Sequence, residues 1–413
     1  MSLPVPTAPA PAPEADEGSW RYPGWRVVLA CFLMAILSWG FGFYGHAFYL
    51  AELRRLHGWP AALIAGATTV YYLFGALLVV FVNDAIRWIG ARTVVLVGAA
   101  CFAVSTAALP FVREPRELYA AFLLMAFGWA SMSLGAITSI LGLWFDRKRG
   151  LAISLALNGA SLSGVIVVPS LVFLAGIGGF TTAMLVGSAA LAVLAGLIAF
   201  RLLQHDPPRL MPAGAASEAV PAAPAWTRAR ALRSLHFWSV TAPFALALLS
   251  QVGFLVHVIA YLEPSIGRNQ AGIAVAITTA MAIVGRVLLG TIADRMHQRL
   301  ASSLSLLGQA GALAVLLHTT EVERIYAACA VYGFSVGNLI TLPALIIQRE
   351  FEAASFGMLT ALLTAIAQVT YSMGPAMIGL VRDATGGYAT AIALCIVINV
   401  VAAVLVLRRP GSQ

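Results

Sequence analysis

Apolar residues in this chain come in long unbroken runs rather than in the alternating or one-faced patterns of a soluble strand or helix. The runs approach 20 residues, the length at which a helix crosses a bilayer. Twelve are legible, at 25–51, 61–83, 93–112, 117–143, 150–175, 180–202, 237–262, 270–292, 301–318, 324–348, 355–381 and 388–407. Short connections join them, apart from a Pro/Ala/Arg-rich stretch at 203–236 that divides the runs six and six. The pattern predicts an all-α membrane protein of 12 transmembrane helices in two pseudo-symmetric six-helix bundles, 20–202 and 237–407, with a central loop at 203–236 and a tail at 408–413. Residues 1–19 are rich in Ala and Pro, with Glu14, Asp16 and Glu17 but no basic or apolar leader, and predict a disordered tail.

Composition points the same way. The chain is 60% hydrophobic and 10% charged, against about 25% charged in a soluble domain, which excludes a soluble protein. Cys31, Cys101, Cys329 and Cys395 all lie in apolar runs and are expected to pack rather than to pair. The net charge of +8 does not call for nucleic acid, because the basic residues are dispersed over loops with no nucleic-acid-reading motif. Topology accounts for them instead. With the N-terminus inside, 17 of the 25 basic residues fall in inside segments, seven in outside loops, and Arg286 alone lies within a span. The expectation is a multi-pass protein of a bacterial plasma membrane with both termini cytoplasmic.

The halves also echo each other. Gly42-Phe43-x-x-His46 recurs as Gly253-Phe254-x-x-His257, and Asp84 as Asp294. Gly178-Gly179-Phe180 recurs as Gly386-Gly387-Tyr388, and Pro169 as Pro375, all at lags of 206 to 211. Two similar bundles can tilt about a shared interface and expose one midplane site to each side in turn.

Arg286 marks that site. A guanidinium inside an apolar span costs about 2.5–3.5 kcal/mol to insert, and its planar fork of donors suits a carboxylate. The alternative, snorkelling to the surface, is awkward from a position about 12 Å of helical rise above Asp294. All 17 acidic residues are expected in the tail, in loops or near helix ends, so a substrate anion becomes the natural partner. Tyr44, Tyr71, Asn158, Gln251, Asn338, Gln368 and Tyr371 are the polar span residues that could line the site; helix–helix hydrogen bonding is their competing role. His46 and His257 are candidates for carrying a proton, since histidine titrates near working pH; a polar residue satisfied near the outer interface is the alternative. Gly159, Gly164, Gly374 and Gly379 are read as close-packing positions, and Trp25 and Trp238 as interfacial anchors.

Several stretches resemble the major facilitator superfamily. The connection after the second span keeps Asp84, Arg87, Gly90 and Arg92 of that superfamily's loop motif, and Gly290-x-x-x-Asp294-Arg295 is its second-half copy. Within the superfamily the likeness is to monocarboxylate transporters and oxalate:formate antiporters. Trp144-Phe145-Asp146-Arg147-Lys148-Arg149-Gly150, Gly285-Arg286-x-x-x-Gly290, and Gly374-Pro375-x-x-x-Gly379-x-x-x-Asp383 are similar to motifs of that group. The resemblance implies the major facilitator fold, alternating access, a carboxylate held by Arg286, and a gate formed by Asp84, Arg87, Arg92, Asp294 and Arg295. Two departures stand out. Ala282 occupies the place where monocarboxylate transporters usually carry an Asp, and Lys148, the chain's single lysine, lies in a loop rather than in a span.

The function expected is secondary active transport of small organic anions, monocarboxylates first, with proton symport as one form and carboxylate exchange, or export of an uncharged or hydrophobic solute, as others. The partners expected are that anion, H+ and the lipid bilayer, with the protein acting as a monomer, without a cofactor or metal. A membrane enzyme or a sensor built on the same fold is a remote alternative: the chain has no phosphate-binding loop, no HExxH and no Ser/His/Asp cluster at a helix end.

Overall fold

Backbone amides cannot stay unpaired in hydrocarbon, so a chain of this composition must cross the bilayer as helices. The computed structural model describes residues 17, 19, 22–145, 148–203, 226–292, 296–352 and 355–408, except for the side chains of 290–292, 340 and 357; among the described residues there is no strand. Eleven helical segments are long and apolar enough to span. One of them, Arg149–Leu202, has 54 residues, about 80 Å if straight, far beyond a hydrocarbon core of about 30 Å. It breaks at Gly179, whose φ of 79° only glycine adopts readily, and the two arms make separate spans.

Twelve spans result. They are α1 (Gly24–His57), α2 (Ala61–Ile89), α3 (Ala91–Phe111), α4 (Pro115–Gly142), α5 (149–178), α6 (180–202), α7 (Leu235–Ile266), α8 (Arg268–Ile292), α9 (Gln298–His318), α10 (Val322–Glu350), α11 (356–385) and α12 (Ala389–Leu407). Several are locally irregular. α1 passes through a π turn at Gly40–Tyr44, α3 ends in a 3-10 turn at Leu109–Phe111, α4 kinks at Ser133, α6 ends in a π turn at Ile198–Leu202, and α11 breaks between Ser372 and Gly374.

Inside the bundles, helices meet where side chains are small. α8 and α10 touch backbone to backbone: a Cβ on Gly285, Gly333 or Gly337 would run into the carbonyls of Phe334, Thr278 or Ala282. Between bundles, α1 packs on α7, α5 on α8 and α2 on α11. The last two pairs are the same pair of positions under the six-helix repeat, and each is seated on an expected glycine, Gly164 against Thr279 and Gly379 against the backbone of Ala61 and Ala62.

An even number of spans puts both chain ends on one face, together with the Arg-rich connections; we call it the basic face. The opposite face is closed. There the Asp383 carboxylate accepts from the Ala61 and Ala62 amides at 3.2 and 2.6 Å, capping the N-terminus of α2 from the other bundle. Glu52 of α1 pairs with Arg268 of α8, which also donates to the Ala175 carbonyl at 3.4 Å. The Ala376 amide donates to Thr69 Oγ1 at 3.3 Å. Toward the basic face, by contrast, the inner half of α4 (Leu134–Gly142) and α10 make their extended contacts within their own bundles. Among the described residues the bundles thus make no extended contact through these two segments, and we call the space between the bundles on that side the cleft.

Two charges depart from the expectation. Glu52 is not in a loop, because α1 continues to His57, and the carboxylate is 1% exposed at the bundle interface. Arg299, counted with the loop charges, is buried: it donates to both Glu350 carboxylate oxygens at 2.8 and 2.7 Å, to the Val406 and Arg408 carbonyls at 2.8 and 3.0 Å, and to Ser239 Oγ at 3.0 Å. The residue ties α7, α9, α10 and α12 together at the basic face.

Candidate substrate site

α8 carries Arg286 18 residues beyond Arg268, about 27 Å along the helix. The Gly285 contact with α10 fixes the rotation of α8 at that level. Arg286 turns toward α5 and donates through Nη1 to Ser161 Oγ at 2.9 Å; Ser161 is buried. Asn158 lies one turn from Ser161 on the same face of α5 and is half-buried. Among the described residues no carboxylate lies within ion-pair distance of Arg286. The guanidinium is half-buried and donates to one neutral hydroxyl, so most of its donors are left without a partner among the described residues.

Tyr44 stands within electrostatic range of Arg286. It occupies the end of the π turn in α1, a backbone irregularity that recurs at functional sites. Tyr72 of α2 lies within the same range of Tyr44 and contacts Tyr371 of α11, ring centroids 5.9 Å apart. The Tyr72 hydroxyl is buried without a partner. Arg286, Tyr44, Tyr72 and Tyr371, two from each bundle, thus neighbour one another in turn across the bundle interface. Tyr71 adjoins them, its ring 5.0 Å from that of Tyr72 and its hydroxyl given to the Gly42 carbonyl at 2.8 Å. Gln368 is one turn from Tyr371 on the same face of α11, half-buried.

Other candidates lie elsewhere. Gln251 is buried inside the second bundle, where its Oε1 accepts from Gln309 Nε2 at 3.0 Å in a helix–helix contact. Asn338 faces Ser305 of α9, on the side of α10 away from the cleft. The repeat-related histidines differ from each other. His257 has both ring nitrogens engaged, with the Tyr388 hydroxyl at 3.1 Å and the Pro375 carbonyl at 3.0 Å, and joins α7 to α11 and α12. His46 sits among Tyr49, Tyr71, Tyr72 and Phe122, with Nδ1 3.5 Å from Thr68 Oγ1 and Nε2 without a partner.

Of the gate residues, Asp84 and Arg87 are exposed and Arg92 lies over the Phe200 ring at 4.4 Å, all within the first bundle; Asp294 and Arg295 lie outside the described residues. What closes the far face is a set that sequence reasoning did not single out: Glu52, Arg268 and Asp383. Asp383 had a signal, since it ends the Gly374-Pro375 motif. Glu52 had none, because a charge one residue past an apolar run reads as surface. Tyr72 was overshadowed by its neighbour Tyr71.

Comparison with known proteins agrees with this architecture. The human monocarboxylate transporter 11 is 26% identical over 407 residues, covering 92% of this chain and 81% of the relative. The uncharacterized MFS-type transporter YcxA of Bacillus subtilis (strain 168) is 23% identical, covering 92% of this chain and 94% of its own. Among solved structures, a bacterial homolog of the human lysosomal transporter Spinster, in an inward-facing and occupied conformation, superposes with a TM-score of 0.74 at 17% identity, covering 94% of this chain and 97% of that one. The Major Facilitator Superfamily profile matches residues 28–375. An apolar chain of two six-helix bundles around a cleft, matched by that profile over most of its length, belongs to the Major Facilitator Superfamily and is a membrane transporter.

Proposed function

We propose that the chain carries small organic anions, monocarboxylates first, by alternating access, with the substrate carboxylate held by Arg286 and by the hydroxyls of Tyr44 and Tyr72. The observation that carries this is a half-buried guanidinium in an apolar span with a serine hydroxyl, and no acid among the described residues, as its protein partner. A carboxylate entering the cleft satisfies both the charge and the free donors of the fork. The similarity to relatives named monocarboxylate transporters supports the same substrate class. The basic face is then cytoplasmic, with both termini there, in a bacterial plasma membrane.

The test is uptake of labelled lactate, pyruvate, formate and larger carboxylates into proteoliposomes. Arg286→Lys and Arg286→Gln are expected to abolish it while the protein still reaches the membrane; undiminished uptake by either variant refutes the site. For symport, His46 is the better placed proton carrier of the two candidate histidines, because His257 is tied through both nitrogens. That no described acid stands beside Arg286 favours a second reading, carboxylate exchange, which needs no proton. Uptake that rises on acidifying the outside selects symport; uptake that follows only an opposing carboxylate gradient selects exchange.

A further inference from the structure

Helices α8, α9 and α10 enclose a crevice of about 500 Å³ on the far side of α8 from Arg286, lined by Met281, Leu288, Leu304, Ser305, Val331 and Asn338 among others. Leu288 is two residues beyond Arg286, about 200° round the helix. α8 and α9 each pack on α10 but make no extended contact with each other, and the gap between them is the mouth. Leu288, Leu304 and Val331 are exposed at the rim, so the mouth faces the bilayer.

The crevice has an apolar wall and one polar group that is not satisfied. Asn338 is 4% exposed. Its Nδ2 donates to Ser305 Oγ at 3.3 Å, while its Oδ1 has no partner. Turning the amide over exchanges the two atoms: Oδ1 then takes the Ser305 hydroxyl and Nδ2 is left over. In either orientation one buried polar atom in the apolar crevice wall is left without a hydrogen bond, at a cost of about 1–3 kcal/mol. Ser335 beside it already spends its hydroxyl on the Val331 carbonyl at 3.3 Å.

We propose that this crevice is a binding site for a small apolar alcohol or phenol dissolved in the bilayer. A hydroxyl both donates and accepts, so it completes Asn338 whichever way the amide lies, while Met281, Leu288 and Leu304 receive the hydrocarbon body. Depth rules out a lipid headgroup. Asn338 is about 24 Å along α10 from Val322 and about 18 Å from Glu350, near the middle of a hydrocarbon core of about 30 Å. The ligand rests on the back of the helix that carries Arg286, so occupancy bears on how α8 moves. The site stands independently of which solute crosses the cleft.

The experiment uses the full chain in nanodiscs of phosphatidylcholine and phosphatidylglycerol, with a diazirine-bearing alkylphenol as photolabel and peptide mass spectrometry as readout. Label is expected on α8, α9 and α10 around Leu288, Leu304 and Val331. 4-Butylphenol should compete at a concentration about tenfold lower than butylbenzene, the worth of one hydrogen bond. Asn338→Leu should erase that preference, and Ala330→Leu, which narrows the chamber and leaves the Asn338–Ser305 hydrogen bond in place, should lower total labelling. Label spread evenly over lipid-facing helices, or equal competition by phenol and hydrocarbon in the parent protein, overturns the proposal even if neither variant folds. So does an Asn338→Leu protein that keeps the phenol preference.

Discussion

Glu52→Gln should push the transporter toward opening at the face opposite the basic one. Glu52 is 1% exposed and Arg268 15% exposed, and they join α1 to α8 across the bundle interface. Removing one member of a buried pair leaves the other charge in a site built for two, at about 3–5 kcal/mol. Arg268 keeps some contact with water and with the Ala175 carbonyl, so the low end applies. The loss falls on the closed face alone, because opening hydrates both residues. About 3 kcal/mol is a shift of about 100-fold in the ratio of the two states. Thr69, whose Oγ1 accepts from the Ala376 amide between the bundles, reports that opening when Thr69→Cys is labelled with a membrane-impermeant maleimide. Labelling from the far face should accelerate by one to two decades in the Glu52→Gln background, within that estimate. Glu52 also pairs with Arg55 at 3.0 Å, so a charge swap would set two arginines together; the double variant Glu52→Gln with Arg268→Gln, which leaves no buried charge unpaired, should instead bring the rate part of the way back to the parent value. A Glu52→Gln rate within twofold of the parent refutes the gate argument.

Asp383→Asn removes the charge that caps α2 from the second bundle; the same labelling assay should show a smaller acceleration, about fivefold for about 1 kcal/mol. Arg299→Ala leaves Glu350 buried and breaks bonds to three other helices. Its expected cost is about 3–5 kcal/mol, seen as a lower melting temperature and lower yield in detergent. His257→Phe loses two hydrogen bonds, about 1–3 kcal/mol of stability, yet should keep pH-dependent uptake if the residue only joins helices; loss of the pH response in a stable protein would make it the proton carrier instead. Gly285→Leu should prevent α8 from seating on the Phe334 carbonyl of α10 and abolish folded protein in the membrane.

The twelve spans, the two halves and the solitary charge at Arg286 are decided by the sequence alone, and the reason is the bilayer. Hydrocarbon forces each apolar run into a helix, its thickness sets the length, and a charge inside a run stands out against that background. The repeat of Gly42-Phe43-x-x-His46 as Gly253-Phe254-x-x-His257 likewise declares the symmetry of the fold. It does not declare equal chemistry. His257 meets Tyr388 and Pro375, whereas His46 meets a cage of aromatic rings. Polar residues in spans were ambiguous for a related reason: Gln251 and Tyr371 look alike in a string, but helix rotation turns one toward Gln309 and the other toward the cleft. That rotation is set by tertiary contacts such as Gly285 on Phe334, which no local pattern encodes. Glu52 and Arg268 are 216 positions apart in the chain, and each alone reads as a surface charge. Only the closing of one bundle on the other buries them as a pair, because an ion pair is a property of two surfaces brought together and not of either helix.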